Sequence, residues 1–165
     1  ANIPYRKFGG MKFIETAHVK DMLSYFKILY NPRDAVNWHR ILLLQEGVGP
    51  ITATKTIEHI VNSVRSEKPK SIFARKTGIK ESIDSLFRFM NDLSESHTGV
   101  GEKAVLISEN YKPILKNKYD DWKKRWKDIE MFVSIAERYS SLNDFLNDMA
   151  QNIKHRLLSP ASLCL

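Results

Sequence analysis

The sequence predicts an all-α protein, an irregular multi-helix domain, and three observations support this prediction. Apolar residues recur at steps of three and four along most of the 165 residues, as on one face of a helix. Proline, glycine and asparagine punctuate these runs in the way that helix-to-helix connections do. No alternation of apolar and polar residues indicates a strand, apart from the short stretch at 3–5.

Each helix is predicted from its apolar face or its end signals. The first has Val19, Met22, Leu23, Phe26, Leu29 and Tyr30; the second runs from about Asp34 to Leu44; the third has Ala53, Ile57, Ile60, Val61 and Val64. The fourth has Ile79, Ile83, Leu86, Met90 and Leu93; the fifth has Ala104, Ile107, Tyr111 and Ile114 and fades before Lys116. The sixth has Trp122, Trp126, Ile129, Val133 and Ala136; the last has Leu142, Phe145, Leu146, Met149, Ile153 and Leu157.

The connections between the helices carry their own signals. Asn31-Pro32-Arg33-Asp34 ends the first helix and caps the second, and Ser141 with Asp144 opens the last as a capping box. His97–Gly101 is predicted to be a linker because of its glycines. The polar, basic stretch 66–78 is irregular, with one short helix around Ile72.

Composition bounds the partner and the compartment. Lys and Arg number 26 against 19 Asp and Glu, for a net charge of +7, and such a basic chain is attracted to polyanions. A merely soluble basic surface is the alternative. No apolar run reaches membrane-spanning length, no signal peptide is evident, and a lone Cys164 forms no internal disulfide. We therefore expect a cytoplasmic protein without a membrane partner.

No catalytic motif is complete in the sequence. A phosphate-binding loop with its lysine is absent, the five histidines are not spaced as metal ligands, and no nucleophile elbow occurs. We expect no enzymatic activity of this chain alone, and no bound cofactor or metal.

The stretch "LLQEGVGPITA" at 43–53 is the strongest candidate site. Glycines reach backbone angles that other residues avoid, so the amides of Gly47, Val48 and Gly49 are predicted to face outward at the start of the third helix. Unpaired N–H groups and the helix dipole there suit a phosphate, while Val48 packs inward and Pro50 fits the first turn. Thr52 and Lys55 follow within two turns. A tight αα-turn with a glycine cap is the alternative.

This stretch resembles the helix-hairpin-helix motif of proteins that hold duplex DNA without sequence preference. The family pattern is roughly Leu-x-x-Leu-x-Gly-hydrophobic-Gly-x-x-x-Ala, and Ile41, Leu44, Gly47, Val48, Gly49 and Ala53 follow it with one extra residue between Leu44 and Gly47. Gln45-Glu46 stands where many relatives have a Thr-Arg-like pair. Because a carboxylate near a phosphate is unfavourable, Glu46 predicts a weaker contact at this turn.

The order of several short motifs extends the resemblance to UvrD/PcrA/Rep-type superfamily 1 DNA helicases, where subdomain 2B begins. The matching residues are Ile3-Pro4-Tyr5, Phe8-Gly9-Gly10, Phe13, Glu15 and Val19-Lys20-Asp21, then Asp121, Arg125, Ile129 and Glu130. Ile14 and Thr16 replace an aromatic and a basic residue of the family pattern.

The resemblance implies an excised piece of a longer enzyme. Residues 1–150 would be one helical 2B-like subdomain, and 151–165, ending "LLSPASLCL", a segment leading back toward the missing motor domain. The parent helicase would use ATP and Mg to move along one strand, typically 3′ to 5′, in repair or replication. This subdomain would hold or gate duplex DNA or a single-strand/duplex junction, and contact the remaining helicase domains.

Basic and aromatic residues outside the turn supply secondary candidates. Arg6, Lys7, Lys12 and Lys20 are auxiliary phosphate partners, and Lys123, Lys124 and Lys127 are weaker ones; a solvated helix face is the alternative for each. Trp122 and Trp126 are one helical turn apart, which favours core packing over a platform for stacking bases. Two other functions stay open: a stand-alone helix-hairpin-helix DNA-binding protein, and a protein-interaction or autoregulatory module without DNA contact.

Overall fold

Residues that interrupt or cap helices set the bounds of the first three elements. The computed structural model describes residues 13–63 and 78–157, with side chains up to 152. Helix α1 (Ala17–Tyr30) ends before the Asn-Pro pair, and Asp34 caps α2 (Ala35–Leu42) by accepting the Asn37 N–H at 3.0 Å. Helix α3 (Pro50–Asn62) begins with proline, whose missing N–H costs nothing at that position.

Four longer helices follow. They are α4 (Gly78–Glu95), α5 (Val100–Lys118), α6 (Trp122–Ala136) and α7 (Leu142–Leu157). These seven helices, with no strand in residues 13–63 and 78–157, confirm the all-α prediction. The short strand predicted at 3–5 and the short helix predicted around Ile72 lie outside the described residues. None of the described helices has the length and apolarity needed to cross a membrane.

The described residues form two compact units. Those within Ala1–Met22 and Gly99–Leu165 belong to unit 1, and those within Leu23–Thr98 belong to unit 2. The division falls inside α1, so one helix supplies buried side chains to both units: Val19 and Met22 to unit 1, Leu23 and Phe26 to unit 2.

Unit 2 is built around aromatic side chains. Trp38 of α2 is fully buried and meets Phe87 of α4 edge to face, with 5.4 Å between ring centroids. The Trp38 indole N–H donates to the Pro32 carbonyl at 2.8 Å, which satisfies its one polar group. Helices α2 and α3 pack against each other on either side of the turn that connects them.

Unit 1 is built on the α5–α6 hairpin, with α7 against α6. Phe132 of α6 and Phe145 of α7 meet edge to face at 5.6 Å. A Cβ built on Gly101 of α5 would lie 2.9 Å from the Glu137 Cα, which is closer than real side chains approach. A glycine is therefore required where α5 passes the end of α6.

Several details of the predicted helices were wrong. Helix α1 is buried around most of its circumference rather than along one stripe, whereas Tyr30 is 60% exposed. In α3 the inner face uses Thr56, whose hydroxyl donates to the Thr52 carbonyl, and Val61 is exposed. The predicted linker at 97–101 ends two residues early because Gly99 caps α5 and Val100 is already buried; α5 then continues past Pro113 to Lys118.

Candidate nucleic-acid interface

The turn between α2 and α3 is tightly hydrogen-bonded. The Gln45 N–H donates to the Leu42 carbonyl at 3.0 Å, and the Val48 N–H donates to the Gln45 carbonyl at 3.2 Å. Gly47 has a φ of +75°, in the left-handed region that side chains disfavour. Val48 is buried, as predicted, and anchors the turn between the two helices.

The amides of this turn differ from the predicted set. Because Val48 uses its N–H inside the turn, it has no hydrogen left for a ligand, and its predicted outward amide was wrong. Gly47 and Gly49 have N–H groups with no partner among the described residues. Gly47 is exposed and Gly49 half-buried, so both can be reached from solvent.

The first turn of α3 adds two more donors. Gly49 is the N-cap and has no side chain to satisfy the amides of Ile51 and Thr52, which are unpaired within the part of the chain described. Together with the helix dipole, these N–H groups make the N-terminus of α3 favourable for binding an anion.

The charged side chains near the turn have opposite signs. Lys55 is exposed on the second turn of α3, and Glu46 is exposed in the turn itself. Thr52 is half-buried, with its carbonyl accepting the Thr56 hydroxyl at 2.8 Å. Among the described residues the site therefore has four unpaired backbone N–H groups, with one exposed cation and one exposed carboxylate nearby in the sequence.

The other predicted phosphate partners lie either in the other unit or outside the described residues. Lys20 is exposed on α1 within unit 1, whereas the turn belongs to unit 2. Arg6, Lys7 and Lys12 lie outside the described residues.

A polar network in unit 1 was not predicted. His18 of α1 is buried, and its Nε2 lies 2.7 Å from the Asp128 carboxylate of α6. An Arg125 N–H lies 3.4 Å from His18 Nδ1; because guanidinium can only donate, Nδ1 accepts and Nε2 carries the hydrogen given to Asp128. The partners are more than 100 positions apart, so no local pattern indicates them.

Residues of the helicase-like motifs have structural roles in unit 1. Arg125 donates through Nε to Asp121 at 2.7 Å, and this hydrogen bond, with the guanidinium charge, lowers the pKa of the Asp121 carboxyl. Buried Asp21 accepts the Tyr111 hydroxyl at 2.6 Å. The motif residues thus join α1, α5 and α6 within this unit.

The two tryptophans of α6 are not core residues, contrary to the favoured prediction. Trp122 and Trp126 are only half-buried, and Ile129 further along the helix is fully buried. The Lys112 Nζ lies 4.4 Å from the centroid of the Trp126 ring, and the Lys116 Nζ lies 4.7 Å from that of Trp122. These lysines were missed because their partners depend on how α5 and α6 align.

The described residues thus form an all-α protein in which a glycine turn presents backbone N–H donors. The comparison with known families makes this specific: residues 1–163 match the UvrD-like helicase C-terminal domain, and the chain belongs to that family.

Curated relatives carry the same region inside longer chains. The chain is 28% identical over 171 residues to the ATP-dependent DNA helicase PcrA of Staphylococcus aureus (strain Mu50 / ATCC 700699). It is 22% identical over 168 residues to the protein of that name in Staphylococcus epidermidis (strain ATCC 12228 / FDA PCI 1200). Each alignment covers 91% of this chain and 23% of the relative, so the chain spans about a quarter of their length. No solved structure matches at a significant level.

Proposed function

We propose that this chain is the 2B subdomain of an ATP-dependent DNA helicase and that its α2–α3 hairpin holds the duplex ahead of the motor. The observation that carries the proposal is the turn at Gly47–Gly49, with unpaired amides at the N-terminus of α3. Family membership and the relatives' printed name, ATP-dependent DNA helicase, support the DNA partner.

The proposed contact reads the phosphate backbone and not the bases. The N–H groups of Gly47, Gly49 and Ile51 would donate hydrogen bonds to one phosphate, and Lys55 would pair with the neighbouring phosphate. Glu46 limits the strength of this contact because its carboxylate lies in the same turn. A weak, sequence-independent contact suits a subdomain that must release and re-form its hold as the motor advances.

The parent enzyme is part of the proposal. It would use ATP and Mg in the cytoplasm to travel along one strand, typically 3′ to 5′, in repair or replication. Residues 1–150 would form the 2B subdomain and 151–165 would lead toward the motor domain.

The proposal predicts that hairpin variants lose duplex affinity. We would titrate a labelled duplex with a 3′ single-stranded tail into the chain at two salt concentrations and follow fluorescence anisotropy. Lys55→Ala is expected to weaken binding about fivefold and to lower the salt slope by about one ion. Gly49→Ala is expected to weaken binding as well, because its new methyl group meets the phosphate but no protein atom within 4 Å.

Matched controls separate this contact from general charge. Lys27→Ala removes an exposed lysine from α1 within unit 2 and should leave the affinity nearly unchanged. Equal losses for Lys55→Ala and Lys27→Ala would refute the hairpin contact.

A protein-interaction or autoregulatory role is the second candidate, and exposed apolar side chains favour it. Val36 of α2 is 79% exposed and Ile51 of α3 is 75% exposed. Flat, salt-insensitive DNA binding in the same titration would support this candidate over the first.

A further inference from the structure

Helices α5 and α6 present aromatic rings beneath lysine side chains on one surface of unit 1. Lys112 lies over Trp126 and Lys116 lies over Trp122. The later lysine thus pairs with the earlier tryptophan, as expected where two connected helices are antiparallel. We call these four residues the Trp–Lys surface. The Trp126 indole N–H donates to Glu130 at 3.0 Å, which fixes the orientation of that ring.

The charge around these residues is mainly positive, although the exposed Glu130 carboxylate lies beside Trp126. Residues 111–127 contain seven basic and two acidic side chains, and one acid, Asp121, is already paired with Arg125. Within the described residues, Lys112, Lys116 and Lys123 form no ion pair, and their described contacts are with indole rings. The partner that complements this surface is therefore an anion with several charges.

The rings restrict the class of polyanion further. Duplex DNA keeps its bases stacked inside and would use only the lysines, and the carboxylates of an acidic peptide would likewise pair with the lysines and not with the indole rings. A single strand offers both phosphates and exposed base faces, and basic grooves with interleaved aromatic rings are how proteins hold such strands. Trp122 and Trp126 are one helical turn apart, which allows successive bases to reach successive rings.

The lysines and the rings can act in sequence. A lysine held over an indole is placed in advance close to where a strand would lie. When a base stacks on the indole, the ammonium group it displaces remains within reach of the adjoining phosphate. Because all four residues belong to unit 1, side-chain rotation alone is enough for this exchange.

We propose that the Trp–Lys surface is a binding site for single-stranded DNA, distinct from the hairpin in unit 2. It does not depend on the proposed duplex contact, because no residue is shared between the two sites.

Tryptophan fluorescence provides a direct test. Trp38 is 1% exposed in unit 2, so among the three tryptophans only Trp122 and Trp126 can be quenched by a stacked base. We would titrate the 165-residue chain with an oligothymidine of about ten nucleotides and, in parallel, with an abasic oligomer of the same number of phosphates.

The expected result is quenching by oligothymidine and about tenfold weaker binding of the abasic strand, because stacking is lost while charge is kept. Lys112→Ala/Lys116→Ala should weaken oligothymidine binding about tenfold. Lys27→Ala/Arg88→Ala, which removes the same charge from exposed positions in unit 2, should weaken it less than twofold. Far-UV circular dichroism checks that both variants fold.

Several outcomes would overturn the proposal. Equal affinity for the abasic and thymidine strands would show that charge alone acts, and preference for a blunt duplex would point to a different polyanion. Equal losses of oligothymidine affinity in the two double variants would show that the binding site lies elsewhere. Lys55→Ala serves as the cross-check, since it should lower duplex affinity and leave oligothymidine quenching unchanged.

Discussion

Gly47 is the residue on which the turn between α2 and α3 depends. Its φ of +75° and the Ile79 side chain, 3.0 Å from where a Cβ would sit, leave little room for any other residue. Gly49 differs, since its φ of −94° is ordinary and no atom lies within 4 Å of an added Cβ. The two glycines of one motif therefore have different reasons for being there.

This difference predicts unequal effects on stability. Gly47→Ala should lower the free energy of unfolding by about 1–2 kcal/mol, because a side chain in the left-handed region is strained. Gly49→Ala should change it by less than about 0.5 kcal/mol. Urea unfolding followed by far-UV circular dichroism measures both, and a larger loss for Gly49→Ala would contradict the geometry.

At the residue scale, the sequence predicts the turn between α2 and α3 correctly, but not which of its backbone N–H groups are free to donate. The Gly-hydrophobic-Gly pattern indicates the tight turn and the buried Val48, because both follow from local backbone sterics. It does not reveal that the Val48 N–H donates to the Gln45 carbonyl, because this hydrogen bond depends on the path of the backbone after α2. His18 and Asp128 are beyond prediction because they meet only through the tertiary fold.

Among the elements, the α5–α6 hairpin shows how close packing restricts which residue a position can hold. Gly101 lets α5 pass the Glu137 backbone, and farther along the same pair of helices Lys112 and Lys116 reach the rings of α6. The apolar spacing predicts both helices. It does not predict their register, so it places the tryptophans in the core instead of under the lysines.

Gly101→Ala is expected to destabilise this hairpin. A methyl group would meet the Glu137 Cα at 2.9 Å, which backbone atoms cannot relieve by a rotamer change, and overpacking of this kind costs about 1–3 kcal/mol. Gly78→Ala in α4 is the control, because its added Cβ meets nothing within 4 Å. Comparison of the two urea midpoints gives the difference, and equal midpoints would show that α5 shifts without cost.

On the scale of the whole molecule, α1 links the two units. Buried Val19 and Met22 in its first half are assigned to unit 1, and buried Leu23 and Phe26 in its second half are assigned to unit 2. Melting either half frays the helix that the other half needs. The sequence indicates that α1 is an apolar helix, but not that its residues divide between two units. Periodicity shows which face is apolar and not which other elements pack against it.

We therefore predict that both units unfold in one transition. In Trp122→Phe/Trp126→Phe the remaining Trp38 reports on unit 2, whereas far-UV circular dichroism reports on every helix. The urea midpoints from the two signals should coincide, as two-state unfolding requires. A second step in the dichroism after Trp38 is exposed would show independent units.

The division of α1 between Met22 and Leu23 also bears on recombination. Unit 2 is one continuous stretch of sequence inserted into unit 1. A single DNA segment therefore encodes it, and recombination could exchange that segment between relatives. One of its two joints nevertheless falls in mid-helix, where adding or removing a single residue would rotate all later side chains by about 100°. Functional chimeras should keep the helical phase across residue 22, or take the whole of α1 from one parent.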